Sequence, residues 1–104
     1  MSDHHPDYWG DVEQQVEKKL ELPPMYKVLL HNDDYTTMEF VVEVLQQVFH
    51  KNAAEATRIM LLVHKTGSGV CGVFTEDVAE TKVEIVHHLA RKSGFPLKCT
   101  MEEA

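Results

Sequence analysis

The chain has 104 residues with seventeen acids against ten bases, a net charge of −7. That length accommodates one domain with its own core. The acidic balance argues against nucleic acid or an anionic membrane as partner, because both reward a basic face. No apolar run reaches the ~20 residues of a spanning helix. The N-terminus MSDHHPDYWG lacks the basic-then-apolar order of a secretory signal. Cys71 and Cys99 fit neither a C-x-x-C spacing nor a disulfide framework and are expected as buried free thiols. A cytoplasmic location is the expectation.

Residues 1–22 carry six acids (Asp3, Asp7, Asp11, Glu13, Glu17, Glu21) and two lysines (Lys18, Lys19). Val12, Val16 and Leu20 are too few to offset much chain entropy, so this stretch is expected to be a mobile arm. Pro23-Pro24 ends it, and residues 23–104 form the core domain.

Met25–His31 reads as a strand, with Tyr26, Val28 and Leu30 on one face. Asn32-Asp33-Asp34 ends it, since these residues suit turns. Thr36 and Glu39, three apart, predict a capping box at the start of a helix running from Met38 to about Phe49. Asn52 with Glu55 opens a second helix, whose stripe is Ala56, Ile59, Met60 and Val63. His64 follows Met60 by four and shares its face. Gly67-Ser68-Gly69 stops this helix, and Val70–Phe74 is a short strand. Thr75 is placed to cap a third helix with Glu76 and Asp77 in its first turn. Arg91, Lys92 and Gly94 mark its end. Leu97–Met101 alternates as a last strand, with Leu97, Cys99 and Met101 inward. The order β-α-α-β-α-β predicts an α+β sandwich, a three-stranded antiparallel-type sheet with three helices packed on it. The order alone leaves the strand pairing open.

No nucleophile motif, P-loop or H-E-x-x-H occurs. Cys71, mid-strand among apolar neighbours, reads as a structural thiol. His4-His5 and His87-His88 are adjacent pairs. The side chains of His87 and His88 diverge by roughly 100° on a helix, so they do not chelate easily. No metal or cofactor is expected. The acidic junction His31–Phe40, HNDDYTTMEF, is open to two readings. Asp33 and Asp34 satisfy a turn, or they form an acidic rim above a hollow lined by Met38, Val41 and Met60. Such a hollow suits a molecule with a positive head and an apolar body. The ordinary role of Met38 and Met60 is core filling.

YKVLLHNDDYTTMEFVVEVL resembles the opening block of ClpS, the small adaptor that presents N-degron substrates to a Clp unfoldase–protease. ATRIMLLVH, GVCGVFTEDVAETKVEIV and PLKCTMEEA resemble its later blocks in the same order, covering about residues 24–104. The resemblance implies a βααβαβ fold similar to the C-terminal domain of a ribosomal stalk protein. It implies a non-enzymatic adaptor that binds chains starting with Leu, Phe, Tyr or Trp. Asn32, Asp34 and His64 would contact the α-ammonium and first peptide group, with Asp33 on the same rim. Thr36, Met38, Val41, Met60 and Leu97 would line the side-chain pocket, Met38 screening against β-branched first residues. Asp77 and Lys82 would dock the N-terminal domain of a Clp AAA+ unfoldase. Threonine stands at position 37 where the family usually has proline, and it is expected to loosen the turn that carries Met38. Two rival readings are a related peptide-binding module with relaxed preference and no delivery role, and a metal-dependent hydrolase using Asp33, Asp34 and His64. The latter lacks a clear second base or nucleophile.

Overall fold

The computed structural model describes residues 22–104. The residues that follow Leu22 build β1 (Met25–His31), α1 (Met38–Gln47), α2 (Ala53–Thr66), β2 (Ser68–Thr75), α3 (Glu76–Ser93) and β3 (Lys98–Glu103). The amphipathic pattern at Val12, Val16 and Leu20 lies outside the described residues.

The sheet has the order β2-β1-β3 and both pairings are antiparallel. β1 is the central strand, and its Tyr26, Val28 and Leu30 face is turned toward the core. Val28 and Leu30 are fully buried. Opposite them lie Gly72 and Gly69 of β2, and Met101 and Cys99 of β3. The β1–β2 register shifts between Val28 and Leu29, so Cys71 is the extra residue of a bulge. α3 touches all three strands, α2 lies against β2, and α1 packs on α2. The three helices supply Val44, Leu45, Ile59 and Val86 to one core with the strands.

The turns explain the helix boundaries. Asn52 Oδ1 accepts from the Glu55 amide at 2.8 Å, as its spacing predicts. Gly67, at φ 96°, closes α2 in the left-handed region where a Cβ is strained. Gly94, at φ 78°, does the same for α3. Thr75 occupies the cap position of α3, but its hydroxyl makes no capping bond. β2 is longer than the apolar run suggests, because Ser68 and Thr75 also pair with β1. β3 begins one residue later than expected, at Lys98.

Both thiols are free and buried. Burial pushes the Cys71 and Cys99 thiols up to about 12, so neither is a nucleophile near neutral pH. No described helix is long and apolar enough to cross a membrane.

Candidate functional site

The site forms where β1 runs out. After His31, the Asn32 amide donates to the Gly67 carbonyl at 2.9 Å. This bond ties the end of β1 to the end of α2, bringing Asn32 to the turn of helix that carries His64. The first residue pair of β2 with β1, Ser68 with His31, continues the same contact. Asn32, a turn residue by its chemistry, therefore also joins two elements far apart in the chain.

Asp33 turns the chain next. Its Oδ1 accepts from the Tyr35 amide at 2.8 Å and the Thr36 amide at 2.7 Å. Its Oδ2 accepts from the Thr36 hydroxyl at 2.7 Å. Burial pushes the Asp33 carboxyl up, but the three bonds from Thr36 and Tyr35 together outweigh it and hold the carboxyl below its usual range. Both oxygens of Asp33 are engaged, which makes it the builder of the rim. Its neighbour Asp34 is exposed. Among the described residues, the side-chain hydrogen bonds of this turn all belong to Asp33.

The expected capping box is corrected here. Thr36 is drawn to Asp33, so the cap falls on Thr37. Thr37 has extended backbone, φ −72° and ψ 151°, and its Oγ1 accepts from the Phe40 amide at 3.1 Å. Threonine at position 37 therefore ties the first turn of α1 and does not loosen it. Met38 is the first residue of that helix and is 42% exposed.

A cavity of about 240 Å³ opens at this junction. Asn32, Asp33, Asp34 and His64 stand on its lining with Thr36, and Met38, Val41, Met60 and Val63 complete the wall. Asn32 and the two aspartates come from the turn after β1, Thr36 to Val41 from the entry to α1, and Met60 to His64 from the last turns of α2. The spacings 38–41 and 60–63–64 are one turn of helix, so each helix presents one face to the hollow. Polar acceptors stand together with an apolar wall. The C-terminal end of α2 adds partial negative charge beside His64, which favours a cation there.

Two residues depart from expectation. Leu97 is 4% exposed in the hydrophobic core and does not line the cavity. It sits just before β3, where Lys98 already pairs with His31, and its side chain joins the packing between sheet and helices. Val63 lines the cavity, although its spacing predicts only a place on the buried stripe of its helix. A β-branched apolar residue on a core-facing stripe carries no local mark that distinguishes pocket from core.

Residues 21–100 match the family model of the ATP-dependent Clp protease adaptor protein ClpS. The chain belongs to the ClpS family. The ATP-dependent Clp protease adapter protein ClpS of Desulfatibacillum aliphaticivorans is 64% identical over 100 residues, 96% of this chain and 95% of that one. The ClpS of Desulforapulum autotrophicum is 58% identical over 103 residues, 99% of each chain. Among solved structures, that of Agrobacterium tumefaciens ClpS2 bound to L-phenylalaninamide is similar with a TM-score of 0.77 and 43% identity. It covers 80% of this chain and the whole of that one. The chain is thus an adaptor of an ATP-dependent Clp protease, built on the α+β fold of ClpS.

On this ClpS-family chain the two docking candidates lie on α3, away from the cavity lining. Asp77 is exposed in the first turn, beside a shallower hollow of about 380 Å³ lined by Pro23, Pro24, Tyr26, Thr75 and Glu76. Lys82 is half-buried and already has two partners within the fold. Its Nζ donates to the Val48 carbonyl at 2.6 Å and sits 5.7 Å from the centre of the Phe74 ring. Among the described residues, no group of three or more His, Cys, Asp or Glu side chains is arranged to hold a metal ion.

Proposed function

We propose that this adaptor captures protein chains by a free N-terminal Leu, Phe, Tyr or Trp. It then delivers them to the N-terminal domain of a Clp AAA+ unfoldase. One observation supports the reading: Asn32, Asp34 and His64 line the same cavity as Met38, Val41, Met60 and Val63.

An α-ammonium offers three donors and a positive charge. An amide oxygen, a carboxylate and an imidazole nitrogen are matching acceptors. Bonds to a charged donor are roughly twice as strong as neutral ones. The apolar wall then takes the first side chain, and burying a Leu or Phe contributes about 1.5–3 kcal/mol. Agrobacterium tumefaciens ClpS2 is bound to L-phenylalaninamide, a molecule with a free α-amine, an aromatic side chain and an amide where the next peptide group would begin. That ligand chemistry supports the reading. On delivery, Asp77 and Lys82 of α3 provide the docking contacts, and the adaptor makes and breaks no covalent bond.

A fluorescent peptide panel tests the capture step. Peptides starting with Leu, Phe, Tyr or Trp bind, and the same peptides with an acetylated first residue do not. Equal binding of free and acetylated peptides removes the ammonium from the account.

Met38 stands at the mouth, where a branch at Cβ of the first residue meets it. Crowding of that kind costs about 1–3 kcal/mol. Met38→Ala therefore raises the affinity for Ile- and Val-starting peptides by about tenfold, with little change for Leu. An unchanged preference in this variant would clear Met38 of any gating role.

A further inference from the structure

We propose that Gly69, remote from the mouth of the cavity, sets the shape of the side-chain pocket through Val63. The inference rests on the reading of that cavity as the seat of the first side chain.

Gly69 lies inside β2, paired with Leu30 of the central strand, and is buried. A glycine in a strand interior weakens the strand, so its presence there points to a spatial demand. The backbone does not require it, since among the described glycines only Gly67 and Gly94 have positive φ. What is special is the space. A Cβ at position 69 would stand 2.9 Å from Cγ2 of Val63, with Leu62 Cδ2 at 3.6 Å and Ile59 Cγ2 at 3.7 Å. The last two are ordinary contacts, and the first is too short to persist.

Val63 has little freedom to yield. It is β-branched and helical, so one χ1 rotamer dominates. It is 2% exposed and lies between the backbone of β2 and the cavity. Close-packed core surrounds it elsewhere, so the unfilled space toward which its methyls can move is the cavity. The missing Cβ at position 69 thus lets Val63 sit back and leaves room for a large first residue. Gly69 is a positioning residue, and Val63 is the group that meets the ligand.

The experiment compares affinities for peptides that differ only in starting with Trp or Leu. In Gly69→Ala the Trp-to-Leu affinity ratio falls by about fivefold or more, because a raised floor is felt most by the largest side chain. In Val63→Ala the ratio rises. In the Val63→Ala background Gly69→Ala leaves the ratio unchanged, since the relay is gone. A loss of stability alone would scale both peptides together and leave the ratio unmoved. An unchanged ratio in Gly69→Ala overturns the inference, as does an equal effect of Gly69→Ala with and without Val63. Should Gly69→Ala not fold, Val63→Ala carries the test, and a Trp-to-Leu ratio that does not rise overturns it. Failure of the unmodified protein to distinguish free from acetylated Leu peptide would sink the pocket reading itself. Normal discrimination with unmoved ratios would sink only the role of Gly69.

Discussion

Asp34→Ala lowers the affinity for a Leu-starting peptide by about 10- to 100-fold and leaves the thermal melt nearly unchanged, while Asp33→Ala lowers the melt. The fold-change is that of losing a hydrogen bond to a charged group, about 1.5–3 kcal/mol. The two carboxylates are adjacent in sequence but differ in what they touch. Asp34 is exposed, so its removal disturbs no packing. Asp33 accepts three hydrogen bonds from Tyr35 and Thr36, and its loss frees two backbone amides at the entry to α1. That should cost about 2 kcal/mol, or on the order of 10 °C for a domain of this size.

Acid provides an independent check on Asp33. Its folded-state carboxyl lies below its ordinary value, so the unfolded chain binds the proton more readily. The stabilisation is fully present above the unfolded value of about 3.9 and is lost as pH falls through the lower folded value. Between pH 5 and pH 2 the melt of the unmodified protein therefore falls more steeply than that of Asp33→Asn. Parallel melting curves would show that the turn draws nothing from the ionised carboxylate. A melt of Asp34→Ala that drops as far as that of Asp33→Ala would make both residues parts of one turn.

Lys82→Ala lowers stability by about 2–3 kcal/mol, so a test of docking at this position must be read with the melt beside it. α1 has no basic residue in its last turn. The Val44 carbonyl accepts from the Val48 amide and the Leu45 carbonyl from the Lys51 amide. The Val48 carbonyl takes the Lys82 ammonium, supplied from α3 thirty-four residues away. A cation at a helix C-terminus offsets the macrodipole, and a hydrogen bond from a charged donor contributes about 1.5–3 kcal/mol. Placement over Phe74, whose ring lies 6.2 Å from that of Phe49, adds about 0.5–1 kcal/mol. Asp77→Ala serves as the comparison, since Asp77 is exposed and its loss should leave the melt within about 0.5 kcal/mol. If Asp77 and Lys82 both dock the unfoldase, both variants weaken that binding and only Lys82→Ala also melts early. A Lys82→Ala protein as stable as the unmodified one would show that the Val48 carbonyl finds another donor at no cost.

The legible parts of this fold share one property, that their causes lie within a few residues. Asn52 caps Glu55 across one turn, Gly67 and Gly94 end helices by their own backbone freedom, and Val28 and Leu30 alternate inward on β1. Where the structure departs from local pattern, near-equivalent groups compete. Thr36 and Thr37 are both sound caps by composition, and Asp33 decided between them by claiming Thr36. Leu97 and Val63 are both apolar residues of the expected type, and nothing beside them in the chain says which faces a cavity. The roles proposed for Asn32, Asp34 and His64 rest on resemblance to ClpS, since turn chemistry alone allows a plain capped junction at Asn32–Asp34.

By itself the chain determined its class of elements, their order, the buried faces and the family to which its motifs belong, because those follow from periodicity, local hydrogen bonding and residue identity. Tertiary structure alone decided that β1 lies central, that Asn32 meets the end of α2, that Lys82 holds the end of α1, and that Val63 backs onto Gly69. These are contacts between residues distant in sequence. They depend on how close two backbones can approach, which local pattern does not encode.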